Sequence, residues 1–147
     1  MSTSSEKVAV VGLGAMGMGI AQSALKGGLA VTGCDVSEAA RDAFANAGGG
    51  IAKTPSEAAE NAAIFAIVVV NQAQTESVLF GDNGAADVLP KGAVVLGHAT
   101  VPPAYAIDVS ARLAAKGIHY LDAPISGGAA KAAQGKLSVM ASGTADA

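Results

Sequence analysis

Three groups of residues in this 147-residue chain have the types and spacing to do chemistry. The first is Gly12-Leu13-Gly14-Ala15-Met16-Gly17, which follows the run Lys7-Val8-Ala9-Val10-Val11. Glycines at the first, third and sixth places of such a loop suit a pyrophosphate. Gly12 permits the tight turn, Gly14 lets the backbone approach the phosphates, and Gly17 lets the next helix pack closely. That helix aims free N–H groups and the positive end of its dipole at the ligand. The second is Asp35, which ends the run Ala30-Val31-Thr32-Gly33-Cys34. It lies about 20 residues beyond the loop, where a carboxylate can accept both hydroxyls of an adenosine ribose. The third is Ser126-Gly127-Gly128, ahead of a short helical stretch. Its hydroxyl and exposed backbone N–H groups suit a small carboxylate, although a plain glycine turn reads the same way.

The elements that must position these residues follow from periodicity and capping. In a chain with 19 glycines a bare triplet is weak, but here a continuous apolar strand precedes it, as in a buried parallel sheet. The helix after it sets Met16, Ile20 and Ala24 on one stripe, with Gly17 and Ala21 beside them. Ser37 caps a helix running to Asn46, which the Gly48-Gly49-Gly50 run ends. Ile51-Ala52-Lys53 reads as a short edge strand. Thr54-Pro55-Ser56-Glu57 is a capping box with proline at the first helical position. Ile64 to Val70 reads as a central strand and Ala73 to Phe80 as a helix, before a turn at Gly81-Asp82-Asn83-Gly84. A strand follows over Ala93 to Leu96. Pro102-Pro103 then opens a helix with Ile107, Ala111 and Ala114 inward, closing at Gly117. Two more strands are read at Ile118 to Leu121 and Leu137 to Ala141. Alternating strands and helices predict an α/β fold, a doubly wound, mostly parallel Rossmann-type sheet. One dinucleotide-binding domain spans residues 7–147, and residues 1–6 form a disordered tail.

Ligands of such sheets sit beyond the carboxyl ends of the strands. Four segments should therefore border the cleft: the glycine loop, Asp35 onward, Asn71-Gln72, and His98-Ala99-Thr100. Thr100 is open to two readings, a cap for the next helix or a hydroxyl facing the nicotinamide ribose or the substrate. His98 reads as a hydrogen-bonded structural group ahead of an acid–base catalyst. Cys34 reads as a small core residue.

Composition removes several classes of function. A net charge of -3 without a basic run argues against binding the DNA or RNA backbone, and 3% aromatic residues argue against a base-stacking platform. No stretch of about 18 apolar residues is present, so no membrane partner is expected. One cysteine cannot form an internal disulfide, and the polar start does not look like a signal peptide, so a cytoplasmic location is expected. No metal site is expected. A P-loop is excluded because no Gly-Lys-Ser/Thr follows the loop. Loops of S-adenosylmethionine-dependent methyltransferases usually follow an acidic residue, whereas Val10-Val11 precedes this one. A dinucleotide sensor without catalysis accounts for the loop but gives no reason for Ser126-Gly127-Gly128.

The segment Leu121-Asp-Ala-Pro-Ile-Ser-Gly-Gly-Ala-Ala-Lys-Ala-Ala-Gln-Gly135 resembles the substrate-binding signature of the β-hydroxyacid dehydrogenases, the 3-hydroxyisobutyrate dehydrogenase family. Gly-Leu-Gly-Ala-Met-Gly, with Gly19 and Ala21 after it, matches the same family's dinucleotide loop. The resemblance covers nearly the whole chain. Through Asn71 to Gly81 and Lys131 to Gly135 it is most similar to the members acting on L-threonate. The resemblance implies an NAD-dependent oxidation of a small hydroxy acid. It assigns the glycine loop (Gly12, Leu13, Gly14, Ala15, Met16, Gly17), Asp35, Val36, Val70, Asn71, Gln72 and Thr100 to the cofactor, and Ser126, Gly127 and Gly128 to the substrate carboxylate. Members preferring NADP usually carry Asn-Arg where this chain has Asp35-Val36. NAD is therefore expected, with no arginine adjacent to neutralise a 2′-phosphate. Imine reductases share the fold and loop but favour NADP. His98-Ala99 departs from the family's serine-rich pattern. The family's catalytic lysine would lie beyond Ala147, so no catalytic residue is expected in this chain. It is read as the N-terminal part of a dehydrogenase about twice as long, a homo-oligomer when whole and inactive as this part alone. The last elements of the fold are expected to be missing, leaving an open sheet edge.

Overall fold

The computed structural model describes residues 6–147. Of the expected tail at 1–6, all but Glu6 lies outside the described residues. Six strands form one parallel sheet: β1 (Lys7–Val11), β2 (Ala30–Cys34), β3 (Gly50–Ala52), β4 (Ile64–Ile67), β5 (Val94–Gly97) and β6 (His119–Asp122). Their spatial order is β3-β2-β1-β4-β5-β6, every neighbouring pair parallel. The chain winds outward from β1 in one direction and then from β4 in the other. The crevice therefore opens at the carboxyl ends of β1 and β4, where the strand order reverses.

Both faces of the sheet are covered, as its alternation requires. Val8 and Val10 of β1 pack with Ala21 of α1 (Ala15–Lys26) and Phe44 of α2 (Glu38–Asn46). Ala9 and Val11 pack on the other side. There they meet Ala58 of α3 (Pro55–Ala59), Leu79 of α4 (Gln72–Phe80) and Val109 and Leu113 of α5 (Pro103–Ala114). The caps are those the sequence predicts. Ser37 accepts the N–H of Ala40, and Thr54 accepts the N–H of Glu57 with Pro55 in the first turn.

Three expectations need correction. The strand predicted to Val70 pairs only to Ile67. Val68 donates one more hydrogen bond to Val11, and the chain then leaves the sheet with Val70 exposed. The inward face of α5 is Tyr105, Val109 and Leu113, whereas Ile107 is 71% exposed and Ala111 and Ala114 are exposed as well. Val109 and Leu113 are the larger apolar side chains and are fully buried, and beside them Glu76 of α4 accepts from both the Tyr105 hydroxyl at 2.9 Å and the Arg112 guanidinium at 2.9 and 2.8 Å. Arg112 also lies 3.6 Å from the centre of the Phe80 ring. Finally, the predicted strand at 137–141 is outside the main sheet. It shrinks to β8 (Ser138–Val139), an antiparallel partner of β7 (Ile125–Ser126). Between these two strands lies α6 (Gly128–Ala133). β6 is an edge of the sheet, yet the chain returns across its end: Asp122 and Ser142 exchange backbone hydrogen bonds of 3.0 and 2.8 Å.

Candidate functional site

The glycine loop is shaped by two close approaches. Gly12 has φ +99°, and a Cβ there would stand 2.0 Å from the carbonyl oxygen of Val68. A Cβ on Gly17 would stand 1.7 Å from the carbonyl oxygen of Gly12. The third glycine thus packs α1 against the loop itself, and only then against Val68 of the neighbouring chain segment. Gly14 differs: a Cβ there would meet nothing within 4 Å. Its φ of -67° and ψ of -171° suit any residue, so neither sterics nor backbone conformation calls for glycine there. The space beside it opens to the cleft. Gly14 is the N-cap of α1 and has no side chain to occupy the first-turn N–H groups of Ala15, Met16 and Gly17.

Asp35 is clamped from two sides. Its Oδ2 accepts the N–H of Leu13 at 2.7 Å, and its Oδ1 accepts the N–H of Ser37 at 2.8 Å. The first bond ties the carboxylate to the glycine loop, 22 residues earlier in the chain. Each carboxylate oxygen retains a lone pair for a further donor. Behind it, Cys34 is buried, and burial together with the Asp35 charge pushes its thiol up to about 11. Such a thiol is protonated at neutral pH and is not a nucleophile.

A cleft of about 440 Å³ joins these parts, lined by Gly12, Gly14, Asp35, Val36, Val68, Val70 and residues of α4 among others. That is within the usual range for a small-molecule or cofactor site. Val36 and Val70 are 97% and 80% exposed and both border the cleft. Gln74, Ser77 and Val78 line it from α4. Sequence reasoning missed these three. Their i, i+3, i+4 spacing on the helix after β4 was the available signal. Asn71 and Gln72 do not line the cleft. Asn71 instead caps α4, accepting the N–H of Gln74 at 2.9 Å, while Gln74 accepts the N–H of Val70 at 2.8 Å.

The fourth segment stands apart. Thr100 is exposed and outside the lining, and it does not cap α5, whose N-cap is Pro102. The His98 ring shares a 2.7 Å hydrogen bond through Nδ1 with the carbonyl of Ala123, so Nδ1 carries the proton. Burial holds its pKa below the ordinary value, opposed by that carbonyl. His98 thus joins β5 to the segment after β6, the structural part expected of it. Asp122 has its Oδ1 buried without a hydrogen-bond partner, and burial raises its pKa.

Ser126 is exposed at the end of β7, and the turn after it is built on φ +135° at Gly127 and φ +79° at Gly128. The turn is held through α6, which packs on α1. A Cβ on Gly19 would lie 2.7 Å from Ala132 Cβ, and the Ser23 hydroxyl lies 2.7 Å from the Ala132 carbonyl and 3.1 Å from that of Ala133. Among the described residues no cluster of His, Cys, Asp or Glu could hold a metal ion, and no helix is long and apolar enough to cross a membrane.

Residues 7–147 match the family model described as the NAD binding domain of 6-phosphogluconate dehydrogenase. The chain belongs to that family of NAD-binding domains. Among curated relatives, an L-threonate dehydrogenase of Cupriavidus necator is 47% identical over 143 residues, covering 97% of this chain and 48% of its own length. An L-threonate dehydrogenase of Escherichia coli K12 is 42% identical, covering 98% of this chain and 48% of its own length. A crystal structure described as 3-hydroxyisobutyrate dehydrogenase from Salmonella typhimurium superposes with a TM-score of 0.92 at 42% identity, over 96% of this chain and 49% of that one. The domain thus spans about half the length of the curated relatives it matches.

Proposed function

We propose that this domain is the cofactor-binding half of a dehydrogenase that oxidises a small hydroxy acid, L-threonate being the favoured substrate. The observation that carries the cofactor part is the Asp35 carboxylate, fixed by Leu13 and Ser37 beside an open Gly14. In this reading the carboxylate accepts the hydroxyls of the adenosine ribose. Val36 and Val70 flank the adenine, and the backbone of Gly12 to Gly17 receives the pyrophosphate. When bound, NAD supplies the hydride acceptor. Ser126, Gly127 and Gly128 bind the substrate carboxylate, and Thr100, Asn71 and Gln72 belong to the nicotinamide side. L-threonate is favoured because relatives 42–47% identical bear that substrate in their names.

Calorimetric titration of the chain with NAD tests the first part, and saturable binding to one site is expected. Absence of binding would sink it. Formation of NADH from NAD and L-threonate by the whole protein tests the second part. Turnover with other small hydroxy acids but none with L-threonate would refute the substrate while keeping the class.

A further inference from the structure

Two carboxylates line the cleft, Asp35 and Asp82, and among the described residues no lysine, arginine or histidine does. In a site for a dinucleotide, with its two phosphates, such charges repel the ligand unless each meets a hydrogen-bond donor on it. Asp35 has that donor in the proposed ribose hydroxyls. Asp82 has no assigned partner, and no ion pair among the described residues involves it. Its place along the cleft says which part of the ligand it meets. The carboxyl ends of β1, β2 and β3 stand side by side in that order. The glycine loop follows β1, Asp35 follows β2, and Pro55 comes just after β3. With the pyrophosphate at the loop and the ribose at Asp35, the base lies next, towards Pro55. Asp82 is held at that end by its neighbours. The Asn83 carbonyl accepts the N–H of Ser56 at 2.9 Å. The Gly81 N–H donates to the Ser77 carbonyl at 3.0 Å, and a Cβ on Gly81 would stand 2.7 Å from that oxygen. Val36, Pro55, Val70 and Val78 give the same end apolar walls. Apolar walls with one acceptor at the rim suit a flat base that carries an amine on its outer edge.

We propose that Asp82 reads the base of the dinucleotide, its carboxylate accepting the exocyclic amine of adenine. This rests on the cofactor reading above. Adenine presents an N–H₂ donor at the position where guanine and hypoxanthine present a carbonyl oxygen. A carboxylate accepts from the first and repels the second, because it has lone pairs and no proton to offer. The apolar walls hold any purine alike, so discrimination between purines falls to Asp82. The acid costs the site some repulsion towards the phosphates and returns base specificity.

The test titrates the natural chain, Asp82→Ala and Asp82→Asn by calorimetry with NAD and with nicotinamide hypoxanthine dinucleotide, which differs only in carrying a carbonyl for the amine. Melting temperatures are recorded alongside. The natural chain should bind NAD more tightly by roughly tenfold, the low end for a hydrogen bond to a charged group because the rim is open to solvent. Asp82→Ala should bring the two affinities together, mainly by weakening NAD. Asp82→Asn should level them while holding both, since its amide can turn either its oxygen or an N–H to the base. Should Asp82→Ala melt early, the near-isosteric Asp82→Asn decides. Equal affinities in the natural chain, or a preference for NAD that survives in a folded Asp82 variant, would overturn the proposal. Failure of the natural chain to bind either dinucleotide would instead overturn the cofactor reading, and Asp82's part with it.

Discussion

Gly14→Ala should separate folding from binding. A Cβ at this position meets no atom within 4 Å, so it costs the fold no steric energy. Replacing glycine by alanine where the backbone already suits it stabilises by about 0.4–1 kcal/mol through the unfolded chain. Alanine is a poorer N-cap than glycine, by an amount of similar size. The two nearly cancel, and stability should change by less than about 0.5 kcal/mol. Binding should not be spared. In the proposed cofactor reading, the methyl group projects into the space where the pyrophosphate approaches and holds it away from the first-turn N–H groups. One lost charge-assisted hydrogen bond is worth about 1.5–3 kcal/mol, which is roughly 10–100-fold in affinity. Urea unfolding and an NAD titration on the same preparation check both halves. A variant that unfolds early would show that the space beside Gly14 is not open. A variant that binds NAD normally would show that the phosphates do not pass there.

Gly19→Ala drives a methyl group to 2.7 Å from Ala132. Overpacking of about 1–3 kcal/mol, less a helix-propensity gain of about 0.8–1.0 kcal/mol, predicts a net loss near 1 kcal/mol. Amide hydrogen exchange should place that loss in α6, and unchanged protection there would contradict the packing argument. For His98, the folded pKa lies below the unfolded value of about 6.5. Between the two, the unfolded chain holds more protons. Stability is therefore intact above about pH 6.5 and falls as pH drops through that window towards the folded value. His98→Asn keeps an N–H for Ala123 and should flatten that slope in urea titrations at several pH values; an unchanged slope would exonerate His98.

Much of the cofactor side was legible because its determinants are local. A strand, a glycine loop and a capped helix each carry their signal within a few residues, and Asp35 closes the unit at a fixed distance. Less legible was whatever depended on contacts between distant elements. On α5, the stripe Ile107, Ala111 and Ala114 has helical spacing too, but Tyr105, Val109 and Leu113 offer the larger apolar surface. Glu76, on another helix, adds hydrogen bonds to Tyr105 and Arg112 that no local pattern announces. The run to Val70 looks like continuous strand because apolar residues are needed both in the sheet and along the cleft that follows it. The 2.7 Å hydrogen bond from the Arg41 guanidinium to the Asp35 carbonyl went unread because the two residues stand six positions apart, a gap closed by the turn from Ser37 into α2. Ser138–Val139 has strand composition, but its partner is a two-residue strand rather than the sheet.

Helix α1 has a further property as a spacer. Its first turn begins at Gly14, and α6 is seated on it at Gly19 and Ser23. With a rise of about 1.5 Å per residue, the loop and the Ser126 turn are indexed to one stiff rod rather than to separate strands of the sheet. A side chain added at Gly19 would push against α6 while touching neither the glycine loop nor the Ser126 turn. The spacing between the glycine loop and the Ser126 turn is then governed by a helix–helix contact remote from both.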